Sequence, residues 1–101
     1  MKAYVIANID VRDPVRYQDY VKLTPGTIAA FGGRFIARGG RAEKLEGDTP
    51  TNRVVIIEFP SYQNAKDWYD SEGYRVARAI RQSAAVGTLI LIEGVESSGA
   101  Q

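Results

Sequence analysis

Two stretches of this chain, Val54-Val55-Ile56-Ile57 and Leu89-Ile90-Leu91-Ile92, are apolar at every position. The first and much of the second consist of branched residues that suit a pleated strand. Successive side chains on a strand point to opposite faces, so a sheet with one wet face alternates apolar and polar residues. A strand that is apolar at both parities needs cover on both sides. The chain has 101 residues, which is one domain and leaves no room for a second. Its few short helices can cover one face of a sheet. The other face needs a second cover, and an identical sheet is the simplest one, so a homodimer through the open sheet face is expected.

The remaining elements follow from local signals. Tyr4 to Ile9 is β-rich and reads as a first strand. Asp13-Pro14 supplies an N-cap followed by proline at the first helical position. Tyr17, Tyr20, Val21, Thr24, Ile28 and Phe31 then recur at three- and four-residue steps, one face of an amphipathic helix. Pro25-Gly26 predicts a kink or short break in it, and Gly32-Gly33 its end. Arg34 to Arg38 is a second strand, with a bulge or sharp bend expected at Gly39-Gly40 and a continuation over Ala42 to Glu46. A turn at residues 47–52 leads into the clearest strand, Arg53 to Phe59. Pro60-Ser61 starts a second helix carrying Ala65, Trp68 and Tyr69; Ser71-Glu72-Gly73 breaks it. A last helical stretch runs through Tyr74, Ala77, Ile80 and Ala84, and Gly87 precedes a final strand from Thr88 to Val95. The order is β-α-β-β-α-β, with a faint duplication: a strand, a proline-containing turn and an aromatic-bearing helix occur twice. Two such halves in right-handed connection give an α+β, ferredoxin-like, four-stranded antiparallel sheet with its helices on one face. We expect one domain over residues 1–96 and a flexible tail over 97–101.

Absences narrow the chemistry. With no Cys and no His, disulfides, thiolate and imidazole metal sites, cysteine nucleophiles and Ser-His-Asp triads cannot be built within one chain. No metal and no cofactor are therefore expected. A net charge of +1, with no basic cluster, argues against nucleic acid as a partner. No stretch approaches the length of a membrane span, and the N-terminal apolar run is broken by Asn8 and Asp10, so a cytoplasmic, membrane-free protein is expected.

From Lys2 to about Glu96 the chain resembles the family known as domain of unknown function 1330, of the dimeric α/β-barrel superfamily. The residues that carry the resemblance are Asp13-Pro14 with Tyr17 and Tyr20, Gly32-Gly33-Arg34-Phe35, Ala37-Arg38-Gly39-Gly40 and Leu45-Glu46-Gly47. They continue with Glu58-Phe59-Pro60-Ser61, Trp68-Tyr69-Asp70-Ser71, and Tyr74 through Arg78 to Arg81. Gly73 stands where the family's turn has proline, a departure confined to the helix break. The resemblance implies two ferredoxin-like sheets face to face in a barrel, helices outside, and no established activity. Superfamily relatives include cofactor-independent monooxygenases, small isomerases and haem enzymes, with a pocket between sheet and helices; that extension is an analogy of fold.

Several residues admit a functional and a structural reading. Arg38 falls by alternation on the face of Arg34 and Ile36. There it either grips an anionic group at a pocket mouth or pairs across the hairpin with Glu58. Glu58, the one polar residue inside an apolar strand, is either an acid–base group or a carboxylate held ionised by arginine. These two are the catalytic candidates. Asn8 is a ligand handle or a structural amide. Tyr17 and Trp68 are the preferred pocket-lining members of an aromatic set that also serves core packing. Arg78 is placed to bend toward a site from an otherwise solvated face that includes Arg75 and Arg81. The candidate ligand set is thus Asn8, Tyr17, Arg38, Trp68 and Arg78. Two functions fit: a small-molecule binder or cofactor-independent monooxygenase- or isomerase-like enzyme, or a non-catalytic accessory homodimer with no ligand pocket.

Overall fold

The computed structural model describes residues 1–96; the tail expected at residues 97–101 lies outside the described residues. The elements are β1 (Ala3–Val11), α1 (Pro14–Ala29), β2 (Arg34–Arg38), β3 (Arg53–Phe59), α2 (Tyr62–Asp70), α3 (Glu72–Ala84) and β4 (Ala85–Glu93). The sheet order is β2-β3-β1-β4 and every neighbouring pair is antiparallel. Each strand–helix–strand connection therefore skips one strand, which is the ferredoxin-like topology. Side chains make the helix starts: Asp13 accepts from the Arg16 amide at 3.0 Å and Ser61 from the Asn64 amide at 3.0 Å. Ser71 serves two helices at once. Its hydroxyl donates to the Trp68 carbonyl at 2.7 Å, ending α2, and accepts from the Tyr74 amide at 3.2 Å, starting α3.

The core lies between the sheet and the helices. Val5, Ala7 and Ile9 of β1, with Val55, Ile57 and Phe59 of β3, are buried against Tyr17, Ile28, Trp68, Tyr74 and Ala77. The opposite parity stays open: Ile6, Val86, Ile90 and Ile92 are exposed. Among the described residues no helix is long and apolar enough to cross a membrane.

Four local expectations are corrected. The helix α1 runs through Pro25 without a break, and the missing proline N–H instead leaves the Val21 carbonyl without its helical donor. The α2–α3 break is Ser71 alone, since Glu72 and Gly73 already belong to α3. Ala42 to Glu46 forms no strand, and β4 begins before Gly87, at Ala85, and ends at Glu93. The sharp bend expected at Gly39-Gly40 is present, with Gly39 at φ +68°. The bulge in β2 lies ahead of it, between Phe35 and Ala37, where the register with β3 shifts.

Candidate functional site

That displaced bulge decides which way Arg38 points. Arg34 opposes Glu58 and Phe35 opposes Ile57; after the extra residue, Arg38 opposes Val55. Ile57 and Val55 both face the helices, so Phe35 and Arg38 share the helix side while Arg34 keeps the open side. Strict alternation would have put Arg38 with Arg34. The Arg38 guanidinium lies 4.1 Å over the Phe35 ring and donates, at 3.4 Å, to the Val21 carbonyl that Pro25 leaves free. A proline in one element and a bulge in another thus place one cation over the gap between α1 and β2.

Beneath it is a cavity of about 30 Å³, room for roughly one or two waters. Every element of the fold contributes to its lining. The floor is apolar sheet, with Ala7, Ile9, Val55 and Ile57; Tyr17, Tyr20 and Trp68 come from the helices. Arg38, Arg53 and Arg81 also line it. The Trp68 ring is fully buried, 4.0 Å centroid to centroid from Tyr74, and its indole N–H donates to the Thr27 hydroxyl at 3.1 Å. The hydroxyls of Tyr20 and Tyr74 are 2.8 Å apart, and Arg81 Nε donates toward Tyr74 Oη at 3.4 Å. A guanidinium cannot accept, so the geometry runs the donors from Arg81 to Tyr74. Burial pushes the phenols of Tyr17 and Tyr20 up; Arg53 pulls Tyr17 partway back. Both are therefore neutral O–H donors at ordinary pH.

The structure brings together Tyr17, Arg38 and Trp68 of the sequence candidates, and separates the rest. Glu58 lies across the sheet, where Arg34 Nε donates to it at 3.0 Å and Lys2 Nζ approaches to 3.5 Å. Those partners hold its carboxyl below the usual range, the Arg34 hydrogen bond most of all. The cross-hairpin partner of Glu58 is thus Arg34 and not Arg38. Asn8 is on that open side too. Its amide donates to the Pro50 carbonyl at 3.0 Å and accepts from the Asn52 amide at 3.2 Å, tying down the loop before β3. Arg78 stacks 4.7 Å over Tyr69 and donates to the Tyr69 carbonyl at 3.2 Å, away from the cavity.

Two lining residues escaped the sequence reading. The three-residue spacing from Arg75 and Arg78 predicts a solvated face for Arg81, yet it is only 7% exposed. It stands seven residues after Tyr74 and four after Ala77, so it, and not Ile80, continues their buried stripe. Arg53 is two before Val55 and four before Ile57, and alternation alone puts it on their face.

Comparisons with known proteins bear on the fold. A crystal structure of RPA0582, a protein of unknown function from Rhodopseudomonas palustris, is similar at 23% identity and a TM-score of 0.75, over 94% of this chain and 83% of that one. SnoaB, a cofactor-independent oxygenase from Streptomyces nogalater, is similar at 9% identity and a TM-score of 0.63, over 97% of both chains. An antibiotic biosynthesis monooxygenase is similar at 15% identity and a TM-score of 0.51, over 93% of this chain and 99% of that one. No significant match was found among curated proteins. The model of the family described as domain of unknown function (DUF1330) matches residues 2–95, and the chain belongs to that family.

Proposed function

We propose that the protein is a homodimer that binds a small organic molecule in the cavity between sheet and helices, one site per protomer. The observation that carries this reading is the cavity itself. Protein interiors are otherwise filled to crystal-like density, yet here all elements meet around a gap that polar tips as well as apolar walls adjoin. The dimer is supported by the open face, where Ile90 and Ile92 remain more than half exposed, at 59% and 52%. Cofactor-independent oxygenase- or isomerase-like chemistry fits the groups at hand. Arginine and neutral tyrosine donors stabilise developing charge on a substrate oxygen, and Arg38 is the candidate for that role. The fold of SnoaB supports this direction by analogy.

One observation favours the second reading, an accessory homodimer: the cavity's volume of about 30 Å³ is far below that of ordinary ligand pockets, about 300–1,000 Å³. A thermal-stability screen against a metabolite library separates the two. A binder raises the melting temperature by mass action, and Arg38→Ala removes that rise. A library that leaves the melting temperature unmoved selects the accessory reading.

A further inference from the structure

We propose that the cavity is an anion site, built for a small carboxylate. This rests on the reading of the cavity as a ligand pocket and adds the class of ligand. Three guanidiniums, Arg38, Arg53 and Arg81, line one small cavity, and no Asp or Glu does. The ion pairs among the described residues lie elsewhere: Arg12–Asp10, Arg16–Asp19, Arg75–Glu72, and Arg34 and Lys2 with Glu58. Arginine does not discharge to escape burial, because its guanidinium stays protonated in proteins. Arg81 is buried and Arg53 half-buried, while Arg38 is exposed at the rim; burying such a charge unpaired is strongly unfavourable, and the neighbouring cations add their repulsion. The missing partner is therefore an anion from outside the fold.

The donors are also left unused. Arg53 Nε is buried with no hydrogen-bond partner, an unusual condition for so strong a donor. The guanidinium end of this side chain lies against the Gly39 bend, where a Cβ would meet it. Arg38 and Arg81 each make one long hydrogen bond, both 3.4 Å, which leaves most of their donors free. Tyr17, with Arg53 5.9 Å from its ring, adds a neutral O–H.

The lining chooses among anions. Two parallel N–H groups of a guanidinium match the two oxygens of a carboxylate. The floor of Ala7, Ile9, Val55 and Ile57 and the walls of Phe35 and Trp68 are apolar, and the small volume leaves room for a short hydrocarbon body. Guanidinium forks match phosphate oxygens as well, so it is the apolar floor and walls that favour a singly charged carboxylate with an apolar body over a phosphate dianion.

The test is calorimetric titration of the full chain with two matched pairs, acetate against acetamide and benzoate against benzamide, and with inorganic phosphate. In at least one pair the acid should bind about tenfold or more tightly than its amide, since only the acid recruits the charge-assisted bonds. Arg53→Gln and Arg81→Gln should each remove about tenfold of that preference, while Arg34→Gln, on the far side of the sheet, leaves it intact. The acid-to-amide ratio is read on the wild-type protein, so the test survives a variant that fails to fold. Amides that bind as well as acids overturn the anion site and leave the pocket standing. Phosphate binding at least as tightly as either acid overturns the carboxylate class. Silence from every probe at about 10 mM, a level that detects even weak binding, overturns the anion site. The pocket then stands or falls on the library screen. A crystal structure with a partner subunit's carboxylate against Arg53 or Arg81 also overturns it.

Discussion

On the helix side of the sheet, Val5, Ile9, Ile57 and Phe59 are buried; on the other side of the same sheet, Ile6, Ile90 and Ile92 stand exposed. Their charges are arranged the opposite way round. The open side pairs its cations, Arg34 and Lys2, with Glu58, whereas the covered side holds three arginines with no carboxylate beside them. A surface made to face water would have few apolar residues, and a side made only for packing would have no unpaired charge. The contrast matches the two tasks of the proposed function on one thin sheet: assembly on the open face, and recognition on the face the helices cover.

The largest effect should come from the covered face. Trp68→Ala empties the place of the largest fully buried side chain and should destabilise by about 3–5 kcal/mol. Chemical denaturation should show this as a lowered midpoint at unchanged slope. On the open face, Ile90→Lys should leave circular dichroism unchanged and raise the dimer dissociation constant about a hundredfold, equivalent to about 2.7 kcal/mol. If Ile90→Lys instead unfolds the chain while Trp68→Ala is harmless, the two faces have been assigned the wrong way round.

How far the sequence carries this comparison can be judged from particular residues. The βαββαβ order, the limits of β3 and the uncovered apolar face all follow from periods and turn signals, because those are set by local sterics. The orientation of Arg38 does not. It depends on an extra residue in β2 that no glycine marks: the bulge falls between Phe35 and Ala37, ahead of the Gly39-Gly40 pair that advertised one. The partner of Glu58 depends on the overall register of β2 on β3, which local signals leave open: Arg34 opposes Glu58, and Arg38 lies four residues along, opposite Val55. Arg53 and Arg81 were legible from strand and helix periodicity. Their charge argued for solvent, and the tertiary placement overrode that preference.

Smaller effects sharpen the contrast. Thr27→Val removes the acceptor of the Trp68 indole N–H and should cost about 1–3 kcal/mol, the penalty of an unsatisfied buried donor. A control at an exposed residue such as Asp67 should be neutral. Arg38→Ala should cost less than about 1 kcal/mol, because its guanidinium is solvated and held mainly by an exposed cation–π contact. A large loss there would mean the cation is structural. Least of all is the effect of acid. Glu58 has its folded pKa lowered, first by the Arg34 hydrogen bond. Its contribution is present above the unfolded value and lost as pH falls through the folded one. Stability should decline below about pH 4.5, the ordinary value of the group, and Glu58→Gln should flatten that limb.

The open face can be tested without any variant. Light scattering on the purified chain at micromolar concentration should give twice the 11.1 kDa mass of one protomer, with dilution leaving that mass unchanged well below the working range. A folded, soluble monomer of 11.1 kDa would contradict the account, for it would show that Ile6, Ile90 and Ile92 can face water with nothing to cover them.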